Sequence, residues 1–344
     1  METVFLDNGT QSIKFGTSRK KFVVQKLLSV LGTKVDGERG GAQETFVDAE
    51  ALRKRYMLDL TYPIRQGLIA DWEGVERLWQ HILEEQLAVD PAEAGLLLAE
   101  PPAPPKGYRE RVAELLFEKF KCGRVFIHPA PALALLGKGL TTGLVLDSGH
   151  GATNITPVHE GFAVSSANIR LELCGRRLTE YLLQLFREKG HPVTAEQHWE
   201  LFMRLKEEKC VFPVDYERLV KEIRSTSRSE SFLLPDGRAV PYTDEFVRCS
   251  EVMFHPTKIT GEVSMGIHEA VSMSLKKSDE LLRRVLYGNM LFTGGNTKIK
   301  QFGHRFLTEI STFIPPREEI RITQNTTSKH FLFQGALILT ELGD

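Results

Sequence analysis

The chain has 344 residues, of which 42% are hydrophobic and 26% charged, and 44 Lys and Arg stand against 45 Asp and Glu for a formal net charge of -1. That length suggests two core-forming units with ample apolar material to fill them, and the balanced charge lacks the basic surplus that phosphate-backbone binding demands, so nucleic acid is not expected as the main partner. The four cysteines, Cys122, Cys174, Cys210 and Cys249, are widely spaced and form no CxxC pair, which excludes a zinc ribbon or a secreted disulfide framework and favours a reducing compartment. No apolar run approaches the about 18 residues a membrane helix needs, and the start enters a strand pattern without a charged leader. The expectation is a soluble, cytoplasmic protein with no membrane span.

In chain order, "VFLDNGTQSIKFG" (Val4 to Gly16) is an apolar run ending in Asp7, a turn centred on Gly9, and a return into alternating residues, which predicts a hairpin. The segment from Arg19 to Arg55, polar and glycine-containing around "GTKVDGERGGAQET", reads as a mobile surface excursion. Asp71 is placed to cap a helix whose buried face is Trp72, Val75, Leu78, Trp79, Ile82 and Leu83. "GLLLAEPPAPP" follows as a buried strand stopped by prolines, and Val112, Leu115, Leu116 and Phe120 mark the next helix. Strand and helix alternate, so the sheet is expected to be mixed or parallel and covered on both faces. The second half begins with "LVLDSGHGAT" (Leu144 to Thr153) and repeats the first plan, Asp147 answering Asp7 and Gly149 answering Gly9. Leu178, Tyr181, Leu182, Leu185 and Phe186 then form one helical stripe that Gly190 stops. A hairpin turns at Pro235, Asp236 and Gly237, and "MLFTGGNTKIKQFG" sends an apolar strand into Gly294 and Gly295.

Three glycine turns thus follow strand ends. Backbone N–H groups in a turn free of side chains can approach and donate to phosphate oxygens, and glycine permits both the closeness and a positive φ. The implied ligand is a polyphosphate, with Asp7 and Asp147 near a phosphate-bound Mg2+ held largely through water, and Lys14 in reach as a point charge. The string GxxxxGK[ST] of a P-loop does not occur.

The strings "FLDNGTQSIKFG", "TYPIRQGLIADWEGVERLW", "TTGLVLDSGHGATNITPVHEGFAV", "LCGRRLTEYL", "LLPDGRAV", "MGIHEAV" and "LFTGGNTKI" occur in the order found in actin, and over nearly its whole length the chain resembles the actin family. The resemblance implies an α/β, actin-type fold, shared with hexokinase and the chaperone ATPases: two similar lobes around a cleft holding ATP or ADP with Mg2+. It implies a small lobe of residues 1–137, with 330–344 returning to it, and a large lobe of residues 138–329. It places Asp7, Gly9, Thr10, Gln11 and Lys14 on the first phosphate loop and Asp147, Gly149, Gly151 and Thr153 on the second. Lys206 and Glu207 match the pair touching base and ribose; Gly294, Gly295 and Asn296 match the loop against the adenosine, and Lys329 a lysine near the base.

The departures fall on the hydrolytic set. Ala130 stands where actin has the glutamine that positions the attacking water, Asn154 where it has the histidine assisting that water, and His150 where the second loop has an acidic residue; an alanine methyl cannot hydrogen-bond. Gln11 replaces a loop glycine and either weakens phosphate approach or, like His150, supplies a contact of its own. The excursion Thr33 to Arg55 lacks a counterpart of the family's subunit-contacting loop, Lys258 falls where the family's plug is apolar, and the sequence stops where actin continues through a helical tail. The resemblance therefore implies a divergent actin-like or actin-related protein, similar to the diverged actin-like proteins of vertebrate testis. It would bind nucleotide with weak or absent hydrolysis and without actin-like self-polymerisation, as a cytoskeletal or scaffold component. Its partners would be other cytoskeletal or actin-family proteins or a larger complex. The alternatives are a filament-forming actin-type ATPase and a small-molecule kinase of the same fold.

Overall fold

The computed structural model describes residues 2–19, 23–34, 44–226, 230–257, 261, 263–324 and 331–343. The chain divides into two compact units, one made of Met1–Thr142, Val158–Ser165 and Thr327–Asp344 and the other of Gly143–Pro157 and Ser166–Thr326. The division after Thr142 falls a few residues beyond the expected lobe boundary, and the hairpin residues from Val158 belong with the first unit.

The first unit runs through β1 (Thr3–Asn8), β2 (Ser12–Thr17), β3 (Gln25–Leu28), β4 (Leu31–Lys34), β5 (Thr45–Val47), helix α1 (Asp48–Arg53), β6 (Leu58–Thr61), β7 (Ile64–Arg65) and β8 (Leu68–Ile69). It continues with α2 (Trp72–Gln80), β9 (Gly95–Glu100), α3 (Tyr108–Glu114), β10 (Arg124–Pro129) and α4 (Ala130–Leu136). Its main sheet has the order β10-β9-β1-β2-β3, with β1 parallel to β9 and antiparallel to β2. Every residue of β9 is buried, as a strand covered on both faces requires. The pleat sorts the side chains: Val4, Leu6, Leu96 and Leu98 meet Val75, Leu78, Trp79 and Ile82 of the α2 region, whereas Phe5, Leu97 and Ala99 meet Leu133, Phe333 and Ala336. Asp71 caps α2, accepting from the Gly74 N–H at 3.0 Å.

The span from Arg19 to Arg55 is not the unstructured excursion expected from its composition. Among the described residues it contains β3, β4, β5 and α1, and β4 is laddered on both sides, by β5 and β6. Leu27, Leu31 and Ala51 are buried there, so backbone pairing and a few small apolar anchors override a polar composition. The stretch 35–43, which holds most of the polar string, lies outside the described residues, as do Lys258 and Lys329.

The second unit contains β11 (Gly143–Ser148), β12 (Thr153–His159) up to Pro157, β14 (Ile169–Leu171), α5 (Gly175–Glu188), α6 (Ala195–Lys209), α7 (Tyr216–Ser225), β15 (Glu230–Leu233), β16 (Ala239–Tyr242) and α8 (Glu245–Glu251), whereas β13 (Phe162–Ala163) falls with the first unit. It closes with α9 (Ile267–Lys277), α10 (Glu280–Gly288), β17 (Met290–Thr293), α11 (Phe302–Ile310) and β18 (Ile322–Gln324), after which α12 (Phe331–Gly343) returns to the first unit. Strands β11, β17 and β18 are parallel neighbours. The α5 stripe of Leu178, Leu182, Leu185 and Phe186 is buried, and Phe186 meets Phe202 and Phe232 edge-to-face at 5.3 and 5.4 Å. Gly190, at φ +81°, ends that helix in a conformation that costs glycine little.

Candidate functional site

In the first unit the β1–β2 hairpin puts Asp7 opposite Lys14, and the two form an ion pair at 2.8 Å. The lysine expected to reach a phosphate is therefore held on the carboxylate expected to serve a cation. A side chain at Gly9 would place its Cβ 2.5 Å from the Ser12 carbonyl oxygen, so only glycine closes the turn. The turn is tied back by Ser29, whose hydroxyl donates to Gly9 O at 2.7 Å and whose N–H donates to Gln11 O at 3.0 Å. Thr10 Oγ1 accepts from the Gly67 N–H at 2.6 Å, and Asn8 Oδ1 accepts from the buried Trp79 indole at 3.1 Å. With its carbonyls turned inward to these donors, the loop is a preformed element rather than a slack connection.

The carboxyl ends of the parallel strands beside β1 carry polar groups that the sequence reading did not single out. Glu100 ends β9 and is gripped by the Arg109 guanidinium, through Nε at 3.0 Å and a second, shorter contact. His128 lies near the end of β10, and burial pushes its imidazole below the ordinary histidine range. Ala130, expected at the water-positioning place, opens α4 directly after that strand and offers only a methyl. The end of a buried strand is where open α/β sheets place function, and that is the signal that could have flagged Glu100.

In the second unit Asp147 lies at the end of β11 and accepts from the Thr293 hydroxyl at 2.9 Å. The following turn is built from three segments. The Gly175 and Arg176 amides at the start of α5 donate to Gly149 O and His150 O, both at 2.9 Å. Asn296 Nδ2 donates to Ser148 Oγ at 3.0 Å and to Gly149 O at 2.9 Å. Ser148 and Thr153 share a hydroxyl hydrogen bond at 2.8 Å, and Thr153 reaches on to Leu173 O. Gly294 has φ +89°, and a Cβ there would collide with the Ser148 backbone, 2.7 Å from its nitrogen and nearer still to its carbonyl. Gly295 faces open space and is not required by crowding.

Asp147, Gly149, Thr153, Gly294 and Asn296, far apart in sequence, are thus joined in one hydrogen-bonded assembly, with Gly151 buried inside the same turn. Lys206 joins them from below: it is 3% exposed, and its amine donates to Gly175 O at 2.8 Å and Thr179 Oγ1 at 3.1 Å. Its neighbour Glu207 is exposed on α6, so the expected pair splits between interior and surface. His150 meets Trp199 edge-to-face at 6.4 Å. Asn154 sits opposite Arg170 in the β12–β14 ladder, and its Oδ1 is a buried acceptor with no partner among the described residues. Ser148, Gly175 and Thr293 are structural members that sequence reasoning missed; only the pairing of distant segments reveals them.

In each turn carbonyl oxygens are taken by fixed donors, so the glycine backbone is held in place at close range. Such a cradle suits an anionic oxygen cluster. Among the described residues no group of three or more His, Cys, Asp or Glu gathers as a direct cation cage, and no helix is long and apolar enough to cross a membrane. A model of the Actin family matches residues 1–344. The chain belongs to the actin family. The alternating β/α organisation of both units, with mixed and parallel sheets covered by helices, is the α/β actin-type fold.

Proposed function

We propose that this actin-family protein binds ATP or ADP with Mg2+, hydrolyses it slowly or not at all, and serves as a cytoplasmic cytoskeletal or scaffold component among other actin-family or cytoskeletal proteins. The observation that carries the reading is the assembly around Gly149: the Gly175 amide and Asn296 Nδ2 hold the Gly149 carbonyl, and Gly294 lies too close to the Ser148 backbone to admit a side chain, so the turn is fixed in place. A fixed glycine turn is the kind of backbone that phosphate oxygens can approach, and the turn at Gly9, where a Cβ would strike the Ser12 carbonyl, is likewise held closed. Each carboxylate, Asp7 on its turn and Asp147 on its own, has an oxygen engaged by a neighbouring donor, which suits a water-mediated rather than a direct role toward Mg2+. When bound, the ion would supply charge neutralisation at the phosphates.

Phosphoryl transfer to water is mostly a matter of positioning the nucleophile. Ala130 supplies no polar atom for that task, and Asn154, an amide in place of an imidazole, cannot accept a proton at neutral pH. Binding without efficient turnover follows. Denaturing the purified protein and separating what it releases should yield ATP or ADP, and incubation with ATP and Mg2+ should leave the bound ATP intact. Phosphate release at an actin-like rate would overturn the inactive reading, and a chain that neither carries nor takes up nucleotide would overturn the binding itself.

A further inference from the structure

Lys206 is carried over from the family as a contact to base and ribose, yet its amine is among the most buried charged groups of the second unit, at 3% residue exposure. Both hydrogen-bond partners, Gly175 O and Thr179 Oγ1, are neutral. Burying an ammonium against neutral acceptors is costly, and a methionine would fill the same space without that cost. Its position points to a compensating role. Gly175, whose carbonyl takes the lysine's hydrogen bond, also donates its N–H to Gly149 O at 2.9 Å. A Cβ built at Gly175 would lie 3.3 Å from Lys206 Nζ, 3.1 Å from Asn296 Oδ1 and 3.3 Å from His150 Cα. The amine, the asparagine amide and the turn backbone therefore converge on the one residue of α5 that has no side chain.

We propose that Lys206 is a positioning residue: from α6 its buried ammonium holds the first turn of α5 through Gly175 O and Thr179 Oγ1, that turn holds 148–151 through the Gly175 and Arg176 amides, and the amine sets a positive charge behind backbone that, on the nucleotide reading above, meets phosphate. The remaining groups around it are the thiols of Cys174 at the start of α5, Cys210 at the end of α6 and Cys249 in α8, with Glu207 on α6 itself. Burial pushes the Cys174 and Cys210 thiols up, which disfavours their thiolates. Burial pushes the Lys206 amine below its ordinary 10.5. An anion on the turn favours the charged amine and draws a proton onto it. Anion affinity therefore falls as pH rises through the lowered value.

The test uses the full chain and two variants, Lys206→Met and Thr179→Val. Amide hydrogen exchange is read at 148–151 and 175–179, and retention of ATP with Mg2+ is followed from about pH 7 to about pH 10, a range that brackets a depressed lysine. Lys206→Met should raise exchange in both segments about tenfold while the β11 interior stays protected, and should weaken ATP retention and flatten its pH dependence. Thr179→Val removes one acceptor from the charged amine, so the pH dependence should remain but move to lower pH, an effect that loosened packing alone would not produce. Unchanged exchange in Lys206→Met, or an undiminished pH dependence, overturns the proposal. If Lys206→Met does not fold, an unmoved pH profile in Thr179→Val overturns it. A wild-type chain that holds no ATP at any pH defeats the nucleotide reading, and the clamp is then decided by exchange: slowed 148–151 amides that depend on Lys206 uphold it, and indifferent ones remove it.

Discussion

Replacing Gly294 with alanine tests whether the second turn is as tightly closed as its geometry demands. The residue has φ +89°, a region that costs an L-residue about 1–2 kcal/mol. The added Cβ would also press on Ser148 N, C and O. These are backbone atoms, held in place by the Asn296 hydrogen bonds to Ser148 Oγ and Gly149 O, so no side-chain rotation relieves the clash. Overpacking of this kind costs a further about 1–3 kcal/mol. The expected loss is about 3 kcal/mol, which lowers the thermal midpoint of a unit this size by about 6–12 °C. Gly190→Ala is the control, because Gly190 has φ +81° in the same unit and nothing within 4 Å of a built Cβ; it should lose only about 1 kcal/mol. Differential scanning calorimetry of both variants separates backbone strain from collision. If Gly294→Ala melts within a degree or two of Gly190→Ala, the closure argued for this turn is wrong.

Two further expectations concern the second unit. Arg305 and Glu251, 3% and 1% exposed, share hydrogen bonds at 2.8 and 2.9 Å, and the guanidinium also reaches Glu309 and Pro213 O. Arg305→Met strands a buried carboxylate and should cost about 3–5 kcal/mol in urea unfolding, whereas Arg305→Met with Glu251→Leu should recover much of it; a single variant within about 1 kcal/mol of wild type would contradict the buried-pair reasoning. Burial lowers the pKa of His268 from its ordinary 6.5, and its ring is surrounded by Phe254, Phe313 and His255. The unfolded chain then binds the proton more readily than the folded one. Stability is full above pH 6.5 and declines as pH falls from there toward the depressed value. His268→Leu should shallow the acid-side fall of the urea-unfolding free energy by about 1.4 kcal/mol for each pK unit of depression, and an identical acid profile in the variant would refute this.

Much of the fold was legible because its signals are local. The cap at Asp71, the α5 stripe ending at Gly190 and the hairpin turning at Gly237 depend on periodicity and on backbone conformations that a few residue types favour. The glycine turns after β1, β11 and β17 were visible for the same reason, since a run of apolar residues stopped by Asp or Thr and Gly is a strand meeting a tight turn. Composition misled over Arg19 to Arg55, where β4 gains its order from ladders to β5 and β6 that a polar string does not announce.

The sequence by itself determined the α/β class, the family and the positions of the glycine turns, because strand, helix and turn patterns and an ordered set of motifs are properties of neighbours along the chain. The tertiary structure decided what each nominated side chain does. Lys14 turned to Asp7 rather than outward, Lys206 went under α5 while Glu207 stayed on the surface, and Ser148, Gly175 and Asn296 became one assembly. Adjacent residues on a helix point about 100° apart, so a Lys-Glu dipeptide carries no record of which side will be buried; that is fixed only when α5 and the 294–296 loop arrive from distant parts of the chain and leave an interior acceptor, Gly175 O, within reach of one of them.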